Sequence, residues 1–451
     1  MLAIIADDFS GAGDSGLQFA KRRLKTVVVT RRREEAVAAD VVVFDTDSRA
    51  ASTDEAGARV SAAVDLARRW GASTLYKKID STIRGNLGAE IDALVTAGGY
   101  ELAVVCPSFP ATGRTVNWAK LYVRGLELAE TEFAADPIWP ATESLVYAAI
   151  GRQSRLHVAA VPLEIVRRGD DSLAATLGRA VACGVRVAVV DAETRDDLDT
   201  IAHAVARSAG RWVAVGSAGL AEALGEDLTS WIPALAGKGK PTETRAGARP
   251  DVRLSSSAVR RERTRESSAG PALVVVGSVN PRSVAQARCL ASSGRTELVV
   301  VTPRDLLDAS AADSAVAKLV AALQNGRSAA LWLDSSGEEI GAWLRGVHAV
   351  GDAATASRDL VGRLASIAAS ALARSIAAGV VATGGDTALA ICDRLACSAT
   401  EVHGEVRPAI PIGVMLDGAL AGRCIVTKAG GFGDDDALIA AVEAIERPTG
   451  H

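Results

Sequence analysis

Short apolar, β-prone runs alternate with amphipathic helical stretches along almost the whole chain. That alternation restricts it to an α/β architecture with a mainly parallel sheet. In the first half the expected strands are Leu2–Ala6, Thr26–Thr30, Val41–Asp45, Thr74–Lys78, Leu102–Cys106, Val185–Val190 and Trp212–Gly216, with helices over Asp54–Trp70 and Asp170–Ala182. A second series predicts strands at Ala272–Val276, Glu297–Val301, Ala329–Leu333, Val380–Ala382 and Arg423–Thr427, and helices at Arg282–Ser292, Ser357–Ala378 and Asp434–Ile445. At 451 residues the chain exceeds one ordinary core. The break falls at Lys238–Glu266, which has nine Lys/Arg, four acids and no apolar periodicity, so it reads as an exposed connection. The expectation is two α/β domains with mainly parallel sheets, 1–236 and 271–451, joined by a basic linker over 237–270, with the active site in the cleft between them. The less regular stretch Phe109–Ala149 predicts loops and short strands over the sheet edge.

Bulk properties exclude several function classes. Net charge is −4 with His neutral, and 4% of residues are aromatic. Neither a nucleic-acid footprint nor a base-stacking platform is indicated, so no nucleic-acid partner is expected. No apolar run approaches the ~20 residues of a membrane span, and no secretory leader is apparent, so the expectation is a cytoplasmic protein without a membrane partner. The six cysteines form no CxxC, and the five histidines show no metal-ligand spacing, so no protein metal site is expected. Among the histidines, His403 alone sits in an irregular segment where a role stays open.

The chemistry concentrates at strand ends. IIADDFSGAGDSG sets Asp7 and Asp8 at the end of the first strand, before Gly11 and Gly13, with Asp14 or Ser15 expected as a helix N-cap. Two carboxylates there can accept hydrogen bonds from substrate hydroxyls or hold Mg²⁺. YKKIDSTIRGNLGAEID, Tyr76–Asp92, crowds Lys77, Lys78, Asp80 and Arg84 beside Gly85 and Gly88. Fixed cations beside permissive backbone suit a small anion, although Arg84 could equally serve an ion pair with Asp80 or Glu90. Glu90 and Asp92 fit the first turns of a helix, where acids favour its dipole. SFPATGR could bring Arg114 to the same surface.

Three glycine signals follow strands in the second half: Gly277-Ser278, Gly384–Thr387 (GGDT) and TKAGGFGD with Gly430 and Gly431. Together they suit a nucleotide with several phosphate contacts. At these three strand ends neither GxxxxGK[ST] nor GxGxxG occurs; GAGDSG at Gly11–Gly16, in the first half, does have the GxGxxG spacing, and GSAGL at Gly216–Leu220 is not a GxSxG elbow.

In this order, IIADDFSGAGD, YKKIDSTIRGNLGAEID, PATGR, GSAGLAEAL, GSVNPRSVAQ, GGDTA and TKAGGFGDDDAL resemble the four-carbon acid sugar kinase family, from Leu2 to about Ile445. The family includes D-threonate, D-erythronate and 3-oxo-tetronate kinases. The resemblance implies an N-terminal acid-sugar-binding domain, a C-terminal ATP-binding domain, and ATP-dependent phosphorylation of the terminal O4 hydroxyl with Mg²⁺. Carried over by motif, Ser278, Gly384, Gly385, Asp386, Thr387, Gly430 and Gly431 would contact ATP. Asp7, Asp8, Lys78, Asp80, Arg84 and Arg114 would face the acid sugar. Asp386, at a glycine-rich helix start, is the first candidate for the catalytic base, and Asp8 is its rival. Asn117-Trp118 stands where a glycine is common in relatives, and the linker Lys238–Glu266 is longer and more basic than the resemblance leads one to expect. A non-catalytic sugar-acid sensor and an NAD(P)-dependent sugar-acid dehydrogenase are the alternatives from other classes. Oligomeric state carries no sequence signal, and a homodimer stays open.

Overall fold

A computed structural model describes residues 1–30, 33–135, 140–226, 269–334 and 353–447. The expected linker Lys238–Glu266 lies outside the described residues, as do His348 and His451. In the first half, parallel strands β1 (Leu2–Ala6), β2 (Thr26–Thr30), β3 (Val41–Asp45), β4 (Thr74–Lys78) and β5 (Leu102–Cys106) are followed by β6 (Arg114–Asn117), β7 (Lys120–Val123) and β8 (Leu126–Glu127), then by β9 (Val158–Val161), β10 (Val187–Val190) and β11 (Trp212–Gly216). The second half supplies β12 (Ala272–Val276), β13 (Glu297–Val301), β14 (Ala329–Leu333), β15 (Gly379–Thr383), β16 (Ala399–Arg407), β17 (Ile410–Met415) and β18 (Cys424–Lys428). The irregular stretch after β5 forms a separate three-stranded antiparallel sheet, β6-β7-β8.

The two expected parallel blocks are present, but they are joined. One fifteen-stranded sheet runs β13-β14-β12-β15-β18-β17-β16-β2-β3-β1-β4-β11-β5-β10-β9. The join is the antiparallel hairpin β16–β17, whose Ala399–Val402 pairs with Thr26–Val29 of β2. Sequence reading missed this hairpin because the segment around His403, before Pro411, reads as irregular. Pro411 is tolerated next to a register shift between Glu405 and Arg407. Gly413 is required because a Cβ there would overlap the Glu401 carbonyl.

In a flat sheet the two parallel blocks would run in opposite directions. Strands twist by roughly 20–25° per neighbour, so the six steps from β1 to β15 accumulate about 120–150°. That rotation brings the carboxyl ends of both blocks towards the same side, where ligands of open α/β sheets collect.

The core follows the same connectivity. Leu2, Ile4 and Ala6 point to one face of the sheet and join a single buried cluster that continues through Leu273, Val275, Val380 and Ile425 of the second half. The opposite face carries two separate clusters, one for each half. The helix Phe9–Ala20 lies across the seam and touches strands from both halves, including β2, β16, β17 and β18. No helix among the described residues is long and apolar enough to cross a membrane.

Candidate active site

The site is built where strand ends from both halves open into one cavity. At the end of β1, Asp8 is extended and its Oδ1 accepts the Gly11 amide at 2.9 Å, so Asp8 itself is the N-cap of Phe9–Ala20. This corrects the expectation that Asp14 or Ser15 caps that helix. Both lie within it, and the Ser15 hydroxyl donates back to the Gly11 carbonyl at 2.8 Å. Asp8 Oδ1 also receives Arg49 Nη2 at 2.7 Å. Asp7 is buried behind it and forms a two-point contact with Arg49, at 2.8 and 3.0 Å. Burial alone would raise the Asp7 pKa, but Arg49, Lys77 and Lys78 outweigh it and hold the carboxyl below its ordinary value. Asp8 and Arg49 line the cavity, whereas Asp7 is not among its lining residues.

The cation-rich strand end of β4 divides into structural and cavity-facing parts. Lys77 is fully buried and pairs with Glu90 at 2.7 Å, beneath the helix Leu87–Gly98. Lys78 lines the cavity, with its Nζ donating to the Ile79 carbonyl at 2.8 Å. No carboxylate among the described residues lies within ion-pair distance of it. Arg84 grips Asp80 at two points, 2.7 and 3.1 Å. That is the ion pair the spacing allowed, yet both residues also line the cavity. Burial opposes the charge on Asp80, but Arg84 and Arg49 hold its pKa well below the ordinary carboxylate value.

Arg114 reaches the same cavity from β6, almost fully buried, with its Nε lacking any partner among the described residues. Its guanidinium lies 5.9 Å from the Phe133 ring centre and 5.1 Å from that of Phe432. Phe432 belongs to the second half, so this stack links the two halves across the cavity. Burial lowers the Arg114 pKa, and Arg124 adds to that.

The facing wall comes from β12, β15 and β18. Ser278, the segment Gly384–Thr387, and Gly430 with Gly431 all line the cavity. The helix Gly385–Arg394 starts so close to Asp8 that a Cβ on Gly385 would sit 2.8 Å from Asp8 Oδ2 and 3.1 Å from the Ser10 hydroxyl. Two helix N-termini therefore meet across the cleft, and both favour negative charge between them. Asp386, in the first turn, is open to the cleft but surrounded by protein. Its pKa is raised by desolvation first, then by Asp8 and Asp47, against Arg49 and Arg358. The β18 loop is shaped by Lys428 Nζ, which donates to the carbonyls of Ala429, Gly430 and Phe432 at 2.9, 3.1 and 3.2 Å. Gln286 Nε2 holds the carbonyls of Phe432, Gly433 and Asp434. With its carbonyls turned inward, the loop leaves amides available to the cavity. Burial lowers the Lys428 pKa to about 7.

Sequence reasoning missed Arg49, Ser10, Phe133 and Phe432 as cavity-lining residues. Arg49 carried a signal: it follows β3 directly, at another strand end. Ser10 and Phe432 lay inside motifs already singled out, but nothing in spacing told them apart from packing residues. His157, His203 and His403 are not among the lining residues, and His403 stands 3.6 Å from Glu401 on β16.

A family model described as a sugar-binding N-terminal domain matches residues 2–224, and one described as a nucleotide-binding C-terminal domain matches residues 273–438. The chain is 33% identical to a D-threonate kinase of Salmonella typhimurium, covering 99% of this chain and 98% of that protein. It is 30% identical to a D-erythronate kinase of Heliobacterium modesticaldum, over 98% of this chain and 96% of that protein. A solved structure from Salmonella typhimurium LT2 shares the fold, with a TM-score of 0.75 at 22% identity over 98% of this chain and 99% of that one.

Proposed function

The chain belongs to the four-carbon acid sugar kinase family, and from that premise we propose that it transfers the γ-phosphoryl group of ATP to the O4 hydroxyl of a four-carbon sugar acid: D-threonate, D-erythronate or a 3-oxo-tetronate. It is an ATP-dependent kinase. The observation that carries the site assignment is one cavity lined on one side by Asp8, Lys78, Asp80, Arg84 and Arg114, and on the other by three glycine-rich strand ends.

In this reading Lys78 anchors the substrate carboxylate as a point charge, and Arg84, held at two points by Asp80, adds positive charge beside it. Arg114, with an unpartnered Nε, adds charge where the two halves meet. Ser278, Gly384–Thr387, Gly430 and Gly431 hold the phosphates through amides, hydroxyls and a helix N-terminus. Phosphoryl transfer then requires alignment, charge neutralisation and an acceptor for the O4 proton. Asp386 takes that proton as the new O4–phosphorus bond forms and the bond to the β-phosphate oxygen breaks, releasing ADP. Its raised pKa makes its carboxylate a stronger acceptor. Asp8 is committed to Arg49 and the Gly11 amide, which favours Asp386 over it.

Among the described residues no group of three or more His, Cys, Asp or Glu forms a closed cage for a metal. Asp8 and Asp386 beside open phosphate loops fit an ion held chiefly by phosphate and water, as Mg²⁺ prefers. Bound there, Mg²⁺ would neutralise the β and γ phosphates. The division into a sugar-acid domain, 1–236, and a nucleotide domain, 271–451, a cytoplasmic location and a homodimeric state belong to the same proposal.

Incubation with ATP, Mg²⁺ and D-threonate, followed by phosphorus and carbon NMR of the product, tests this directly. The proposal requires a phosphate monoester on O4. Phosphate on another oxygen, or no ester with any of the three acid classes, contradicts it.

A further inference from the structure

Asp14 lies in the second turn of Phe9–Ala20 and lines the cavity on the side of Lys78 and Gly11. It is 8% exposed, and its Oδ1 has no hydrogen-bond partner among the described residues. The charged groups around it are Lys78 at the end of β4, Lys21 and Asp8 at the ends of its own helix, and Glu405 on β16. None of these lies within ion-pair distance of its carboxyl. The nearby Tyr76 hydroxyl is committed to the Ser217 carbonyl at 2.6 Å. Desolvation raises the Asp14 pKa to about 7, against the pull of Lys78 and Lys21. One turn earlier on the same helix, Ser10 also lines the cavity with a buried hydroxyl that has no partner.

A buried acid without a partner costs stability, and helix packing gives no reason for one here. Because Asp14 lines the cavity, a ligand bound there is one source of the missing partner. A carboxylate beside the anchoring cation repels the substrate carboxylate, so the group facing it has to be a neutral donor. A hydroxyl is the neutral donor that a sugar acid carries.

We propose that Asp14 is a substrate-binding residue that accepts a hydrogen bond from a C2 or C3 hydroxyl of the acid sugar, and so sets specificity for the hydroxylated chain. This rests on the kinase reading above. A pocket that pairs a buried acceptor with a substrate hydroxyl penalises the analogue lacking it, because the acceptor is then left unpaired.

The test uses the full-length protein and its variants Asp14→Ala and Asp14→Asn. Calorimetric titration and phosphorylation are measured with D-threonate and its two deoxy analogues, 2,4-dihydroxybutanoate and 3,4-dihydroxybutanoate. Wild type should favour D-threonate over one analogue by about 10- to 100-fold, the cost of leaving one buried acceptor unpaired. Asp14→Ala should shrink that preference to within about threefold, with the KM for ATP unchanged. Asp14→Asn, which keeps an acceptor oxygen, should fall between. Both variants should melt higher than wild type at pH 8, where ionised Asp14 is a burden, and the gain should fade at pH 5. Unchanged discrimination in Asp14→Ala, or equal weakening of all three acids with a lower melting temperature, would overturn the assignment of Asp14 alone. Failure of wild type to bind any of the three acids would overturn this inference and the kinase reading together.

Discussion

Asp386 and Asp8 share one space but do different work. Asp8 is tied down twice, by Arg49 and by the Gly11 amide, whereas Asp386 faces the cleft with a raised pKa. Asp386→Asn should therefore lower kcat by about 100- to 10,000-fold and leave the KM for the acid nearly unchanged. Near-normal turnover would remove Asp386 as the base. Lys428 makes a second residue-level case. Its folded pKa of about 7 lies below the ordinary 10.5, so between those values the unfolded chain holds a proton that the folded chain has shed. Folding is thus favoured as pH rises through that window, and the penalty of burying the charge is fully present below pH 7. The melting difference between wild type and Lys428→Met should shift in favour of wild type from pH 7 to pH 9; a difference that does not move with pH would contradict this. These residues were unequally legible. Lys78, Asp80, Arg84 and Asp386 could be read as strand-end charges in compact motifs. Arg49 had the same kind of signal, a charge shortly after β3, but Phe432 had none, because its role arises from contact with Arg114, distant in sequence.

At the scale of elements, most strands could be placed from apolar runs, since a parallel strand buried on both faces is apolar throughout. The hairpin β16–β17 escaped because an antiparallel connector with one open face alternates polar and apolar residues and tolerates Pro and Gly. Yet this hairpin joins the two halves. Its removal would leave β2, TVVVT, as a bare apolar edge. A fragment ending at Glu226 should consequently self-associate, and light scattering coupled to gel filtration would show species larger than a monomer. A stable monomeric fragment would mean that β2 protects its edge without the hairpin.

For the whole molecule, one sheet and one buried cluster continue through both halves. Two domains describe the chemistry, but the core on one face is shared. Calorimetry of the free protein should accordingly give a single cooperative unfolding transition, and ATP should move all of it upward. Two resolved transitions, with ATP shifting one alone, would show that the halves unfold independently. The helix Phe9–Ala20, which contacts both halves, lies over the β2–β16 seam that joins them. On the cavity side the Arg114–Phe432 stack, 5.1 Å from guanidinium to ring centre, is a second contact between the halves.

Acid-dependent ADP release is the most direct test of the central claim, that acid sugar and ATP meet in the cavity between the charged wall of the first half and the glycine-rich wall of the second. With ATP and Mg²⁺ present, wild type should release ADP on addition of D-threonate, D-erythronate or a 3-oxo-tetronate. Arg84→Gln should raise the KM for the acid at least tenfold without changing that for ATP. ADP release that no four-carbon acid stimulates, or an Arg84→Gln variant whose KM for the acid matches wild type, would contradict the account.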